Sequence, residues 1–119
     1  MPHLILEYSN NFDGELDFEP FFVTLHKLLE EKLPTDISSC KSRCIARELF
    51  FIGDCHIKNA FAHLTIKILA GRTDENKNKL GNEILKMMRN FFHPHKCNLI
   101  LQLSVEVIDL DKHYFKVLA

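Results

Sequence analysis

Two stretches of this chain carry the same succession of hydrophobic periods, and that succession leaves few folds open. Residues 4–8, Leu-Ile-Leu-Glu-Tyr, have the character of a short buried strand, and residues 9–14 carry turn chemistry. Phe21, Phe22, Leu25, Leu28, Leu29 and Leu33 then recur at helical spacing, with Pro20 suited to a first turn and Pro34 closing the helix. Residues 42–48 read as a second strand, which Leu49-Phe50-Phe51-Ile52 either extends or follows as an apolar tail. The second half repeats the order. Leu64, Ile66 and Ile68 alternate with His63, Thr65 and Lys67 in a strand spanning 60–70. Thr73 is the predicted N-cap of a helix, with Asp74 and Glu75 at the positive end of its dipole. Leu80, Ile84, Leu85, Met88, Phe91 and Phe92 share one stripe of that helix, and Pro94 ends it. Residues 99–107 alternate as a long strand.

The pattern is βαβ followed by βαβ, which predicts one α+β domain. Its halves cover about 2–52 and 60–109, with a C-terminal tail at 110–119. The halves share local sequence: His3-Leu4-Ile5-Leu6 resembles His63-Leu64-Thr65-Ile66, sixty positions on. Shifting the last strand by one more residue sets Lys41 and Arg43 against Gln102 and Ser104, on the more polar faces of their strands. A tandem duplication accounts for this order, and a ferredoxin-like sandwich shares it. Helices on one face of a sheet leave the other to be covered. With Leu101 or Leu103 apolar there and Lys67 polar, that face suits another subunit. Tyr114, Phe115, Val117 and Leu118 in the tail are expected to pack on something.

Composition narrows the function. Fifteen basic against 16 acidic residues give no general attraction to nucleic acid or an anionic membrane. The apolar run near the start is far short of a signal-peptide core or a membrane span, so a cytoplasmic protein is expected. Cys40, Cys44, Cys55 and Cys97 form no CxxC pair and read as reduced thiols. His93-Pro94-His95 reads as a surface turn after the helix rather than a metal pair. No phosphate loop, metal signature or nucleophile triad stands out, so the chemistry is expected to need no cofactor. Pro2 is the residue that suggests chemistry. Methionine before a small residue such as proline is normally removed, which would leave a free secondary amine.

Pro2-His3-Leu4-Ile5-Leu6-Glu7-Tyr8-Ser9 resembles the opening of the 5-carboxymethyl-2-hydroxymuconate isomerases of the tautomerase superfamily. So does Ala60-Phe61-Ala62-His63-Leu64-Thr65-Ile66-Lys67-Ile68-Leu69-Ala70-Gly71-Arg72. Gly71-Arg72-Thr73-Asp74-Glu75-Asn76-Lys77 is similar to the strand-to-helix turn of 4-oxalocrotonate tautomerase. Ser104-Val105-Glu106-Val107 and Tyr114-Phe115-Lys116 resemble the isomerase's last strand and C-terminal extension.

The resemblance implies a four-stranded sheet with two helices on one face (a tautomerase or MIF-like fold). It also implies a homotrimer whose sheets pack around a central axis, the aromatic tail reaching a neighbour. The implied activity is cofactor-independent keto–enol tautomerisation of an unsaturated 2-hydroxy di- or tricarboxylate in aromatic compound degradation. Pro2, freed of Met1, would be the general base. An apolar pocket and nearby cations would lower its pKa toward operating pH. Cations would also hold the substrate's carboxylates and stabilise the dienolate. Arg72 matches the family's Gly-Arg motif. Where the family pattern reads Arg-Ser-Arg, this chain reads Lys41-Ser42-Arg43, so Arg43 keeps the forked donor and Lys41 does not.

Strand alternation turns His3 away from the Pro2 pocket, as a hydrogen-bonded structural histidine, and gives His63 the equivalent place. Arg47 suits a surface ion pair. Phe50, Phe51 and Phe61 fit either pocket walls or ordinary packing. Two alternatives remain beside the enzyme: an inactive trimeric ligand-binding protein of the same fold, and an unrelated ferredoxin-like regulatory domain.

Overall fold

The alternating segments join into one mixed sheet in the computed structural model, which describes all 119 residues. The order is β1 (His3–Ser9), α1 (Glu19–Lys32), β2 (Lys41–Arg47), β3 (Asn59–Ile68), α2 (Asp74–Phe92) and β4 (Ile100–Asp109). Single 3-10 turns sit at Ile37–Ser39 and His93–His95, the latter being the surface turn expected after the helix. The strands lie in the order β2-β1-β3-β4. β1 runs parallel to β2, β3 parallel to β4, and β1 antiparallel to β3. Each βαβ unit therefore closes on its own neighbouring strand. The split βαβ of a ferredoxin-like sandwich is absent, and that alternative falls.

The pairing corrects the proposed internal register. His3 lies opposite Lys41 and Ile5 opposite Arg43, whereas His63 lies opposite Ser104 and Thr65 opposite Glu106. The counterparts of Lys41 and Arg43 are thus Ser104 and Glu106, two residues beyond the expected pair. An even slip keeps every side chain on its face, so polarity alone cannot detect it. The repeat is also uneven in length, since α1 has 14 residues and α2 has 19.

Both helices bury one stripe against the same sheet face. Phe21, Leu25 and Leu29 of α1 and Leu80, Ile84, Met88 and Phe92 of α2 meet Leu4, Leu6, Leu64 and Ile66. Pro20 occupies the first turn of α1, and the Thr73 hydroxyl accepts the Asn76 N–H at 3.2 Å as the N-cap of α2. Leu101, Leu103, Val105 and Val107 also pack on this core. Leu101 and Leu103 therefore do not lie on the uncovered face, which was the expectation. Strand alternation assigns that face to Ile5, Glu7, Lys41, Arg43, His63, Thr65, Lys67, Ser104 and Glu106, and it is largely polar. Outside the core, Leu49, Phe51, Ile57, Phe115, Val117 and Leu118 are exposed in the single chain. Of Tyr114, Phe115, Val117 and Leu118, only Tyr114 finds a partner within the chain.

Candidate active site

Pro2 is buried one residue before β1, and its carbonyl accepts the Lys41 N–H at 3.0 Å, continuing the parallel ladder beyond His3. Alternation puts Pro2 on the helix side with Leu4 and Leu6, and His3 on the opposite face. Pro2 lines a cleft of about 330 Å³ between the end of α1 and the end of β3. Leu33 and Ile68 give it apolar walls, Thr35 and Ser39 contribute hydroxyls, and Arg72 and Lys116 bring positive charge. A broader groove of about 1100 Å³ shares Leu33, Pro34, Ile68 and Arg72 with it and runs toward Lys77 and Lys86 on α2.

The amine at the chain's start reports the electrostatics of this cleft. Met1 N donates to Thr35 Oγ1 at 3.0 Å and to Ser39 Oγ at 3.2 Å. Its pKa is held below the usual α-amine value, first by burial and then by Lys116, Lys41 and Arg72, with Cys40 opposing. Arg72 stands there because Gly71, at φ +114°, turns the chain out of β3 before Thr73 caps α2. One Arg72 guanidinium N–H donates to the Leu69 carbonyl at 3.3 Å.

The structure brings Pro2 and Arg72 together, with Lys41 close enough for its charge to act at the terminus. The Lys41 ammonium donates to the Ser39 carbonyl at 3.1 Å. Arg43 is not in this cleft. It lies on the other face of the sheet, where it donates to His3 Nδ1 at 3.0 Å. His3 has its predicted orientation and also pairs with Tyr114 Oη at 2.8 Å. His63 matches it on β3, with Nδ1 2.6 Å from Ser104 Oγ. Arg47 makes the expected ion pair, with Glu7. Phe50, Phe51 and Phe61 line a separate hollow beside Glu7 and Gln102 at the other end of β1.

None of Arg72, Lys41, Arg43 and Lys116 forms an ion pair, while Lys77 and Lys79 on the adjoining helix pair with Asp109 and Glu75. Asp36 is the acid beside the cleft, and its carboxylate is turned to the Ser38 N–H at 3.0 Å. Lys116 is the cation that motif and period missed. Its only sequence signal is the Tyr-Phe-Lys run, in a tail without periodicity.

A family model for 5-carboxymethyl-2-hydroxymuconate isomerase matches residues 2–117. The chain belongs to the 5-carboxymethyl-2-hydroxymuconate isomerase family. This is a family of isomerases, and the match takes in Pro2, Lys41, Arg43, Arg72 and Lys116 together. The 5-carboxymethyl-2-hydroxymuconate Delta-isomerase of Escherichia coli is 27% identical over 110 residues, covering 92% of this chain and 87% of that protein. The crystal structure of a 5-carboxymethyl-2-hydroxymuconate isomerase from Deinococcus radiodurans R1 superposes with a TM-score of 0.77 at 25% identity, covering 98% of this chain and 88% of that one. A fused 4-OT wild type symmetric trimer superposes with a TM-score of 0.71 at 14% identity, covering 97% of this chain and 90% of that one. At that distance the likeness establishes the fold alone, which is the tautomerase or MIF-like fold. In this isomerase no helix is long and apolar enough to cross a membrane.

Proposed function

We propose that this isomerase, once Met1 is removed, interconverts the enol and keto forms of an unsaturated 2-hydroxy di- or tricarboxylate with Pro2 as its general base. The Pro2 amine takes a proton from the dienol and returns one to a distant carbon of the same substrate. To act as a base near neutral pH it must be largely unprotonated, and a secondary amine begins somewhat above the ~8 of an ordinary α-amine. Burial and neighbouring cations both disfavour the ammonium form. The carrying observation is that the Met1 amine, one residue further out, already has its pKa lowered by burial, Lys116, Lys41 and Arg72. The Pro2 amine left by removal of Met1 lies one residue further in, in the cleft that Arg72 and Lys116 line. Thr35 Oγ1 and Ser39 Oγ accept from an ammonium at this mouth and would steady the protonated intermediate. Arg72 holds a carboxylate and stabilises the negative charge that develops on the dienolate; Lys41 acts on the amine through its charge, and as a carboxylate ligand it serves with Arg43 from the sheet face the two share.

Arg43 points to a trimer. It faces away from its own Pro2 cleft, so it serves a substrate only where another protomer brings a cleft to this sheet face. The largely polar uncovered face and the likeness to a symmetric trimer support that assembly.

Two measurements test the proposal together. Intact mass is expected to show loss of Met1. Pro2→Ala in the processed protein is expected to lower kcat for enol-to-keto conversion of a hydroxymuconate-type substrate by about a hundredfold or more, the usual scale of general acid–base catalysis. Retained Met1, or an unchanged rate, overturns the role of Pro2.

A further inference from the structure

The C-terminal tail does little for packing, yet it is held in one place. Leu110 N–H donates to the Ile68 carbonyl at 2.6 Å, which ties the start of the tail to the end of β3. His113 N–H donates to Asp111 Oδ2 at 2.8 Å in a local turn. Tyr114 then meets His3, with its Oη 2.8 Å from Nε2 and the rings edge to face at 5.6 Å between centroids. Two residues on, the Lys116 ammonium reaches Met1 Sδ and lines the Pro2 cleft. Between and beyond these contacts, Phe115 is 86%, Val117 86% and Leu118 100% exposed.

We propose that the tail delivers Lys116 as a binding residue for a second carboxylate of the substrate, and that Tyr114 positions it through His3. The proposal rests on Pro2 marking the reacting centre. A thioether is a weak acceptor for an ammonium, and it departs when Met1 does. Lys116 then lines the cleft without an ion pair, the Asp36 carboxylate there being turned to the Ser38 N–H. Arg72 reaches the same cleft from the β3–α2 turn. Two unpaired cations carried by separate segments suit a ligand with two separated anionic groups. Single carboxylates need only one of them.

Binding of an unreactive pair separates charge recognition from folding. Muconate and sorbate share a six-carbon diene, and sorbate carries a methyl where muconate has its second carboxylate. Calorimetry on Met1-free protein is expected to show Lys116→Ala weakening muconate by about tenfold or more, the scale of a charge-assisted hydrogen bond, while sorbate is unchanged. Lys116→Arg should restore most of the muconate affinity. Tyr114→Phe should weaken muconate in the same selective way while Lys116 is still present. In turnover, Lys116→Ala should raise KM with little change in kcat. Equal loss for muconate and sorbate, or no loss for either, overturns the role of Lys116. Full muconate affinity in Tyr114→Phe overturns the positioning by Tyr114. A Pro2→Ala protein that keeps its activity while Lys116→Ala still discriminates would instead overturn the assignment of the base.

Discussion

Arg43 donates a hydrogen bond to Nδ1 of His3 at 3.0 Å, and that contact decides which imidazole tautomer the fold holds. A guanidinium has no acceptor, so Nδ1 must offer its lone pair. The proton of the neutral ring then lies on Nε2, which donates to Tyr114 Oη at 2.8 Å. Protonation would place an N–H at Nδ1 facing the donors of Arg43. The charged groups around His3 are Arg43 and Lys41 from β2, Lys67 from β3 and the chain's amino terminus, all cationic. Its pKa is lowered, first by burial and then by these charges. Because the folded value lies below the unfolded one, the stabilisation is complete above the unfolded pKa of about 6.5 and is lost as pH falls through the folded value. Acidification below about pH 6.5 should therefore break the Arg43–His3 contact and cost stability, while Nε2–H still donates to Tyr114 Oη. The urea midpoint should fall over that window, and fall less in a His3→Gln variant. The same pH dependence of the midpoint in both proteins would contradict this.

Gly71 holds a backbone conformation that other residues rarely adopt, with φ at +114°. A Cβ added there meets no heavy atom within 4 Å, so the penalty of Gly71→Ala is conformational rather than steric. It should destabilise the protein by about 1–3 kcal/mol, read from urea unfolding. If the turn instead relaxes, Arg72 moves and KM rises while the midpoint holds. Neither change appearing would mean that the turn does not set Arg72.

How far such features were legible depends on what fixes them. Alternation alone separates the faces of β1, so buried Pro2 and outward His3 follow from residues 2–6. Stripe spacing likewise finds the buried residues of both helices, because 3.6 residues per turn is a local property. The pairing of His63 with Ser104 was out of reach, since a slip of two residues preserves polarity on each face. Leu101 and Leu103 are placed on the helix side by the packing of β4 on the core, together with Val105 and Val107, and not by the register. Lys116 was missed for a different reason. The contacts that hold the tail, Leu110 to Ile68 and Tyr114 to His3, join residues far apart in the chain, and the tail carries no periodicity to announce them.

Ser9 closes the antiparallel pairing of β1 with β3 by side chain rather than backbone. The backbone register ends at Tyr8 opposite Ala62. Beyond it, the fully buried Ser9 Oγ accepts the Phe61 N–H at 3.0 Å and donates to the Phe61 carbonyl at 3.4 Å. Ser9→Ala leaves a strand-end N–H in the core without a partner, which costs about 1–3 kcal/mol. The urea midpoint should fall at unchanged m, since the surface exposed on unfolding is the same. Ser9 lies at the far end of β1 from Pro2, so kcat should hold in the folded fraction. A midpoint equal to that of the unsubstituted protein would mean that water or a shifted backbone supplies the missing acceptor, and that Ser9 is not what terminates the pairing.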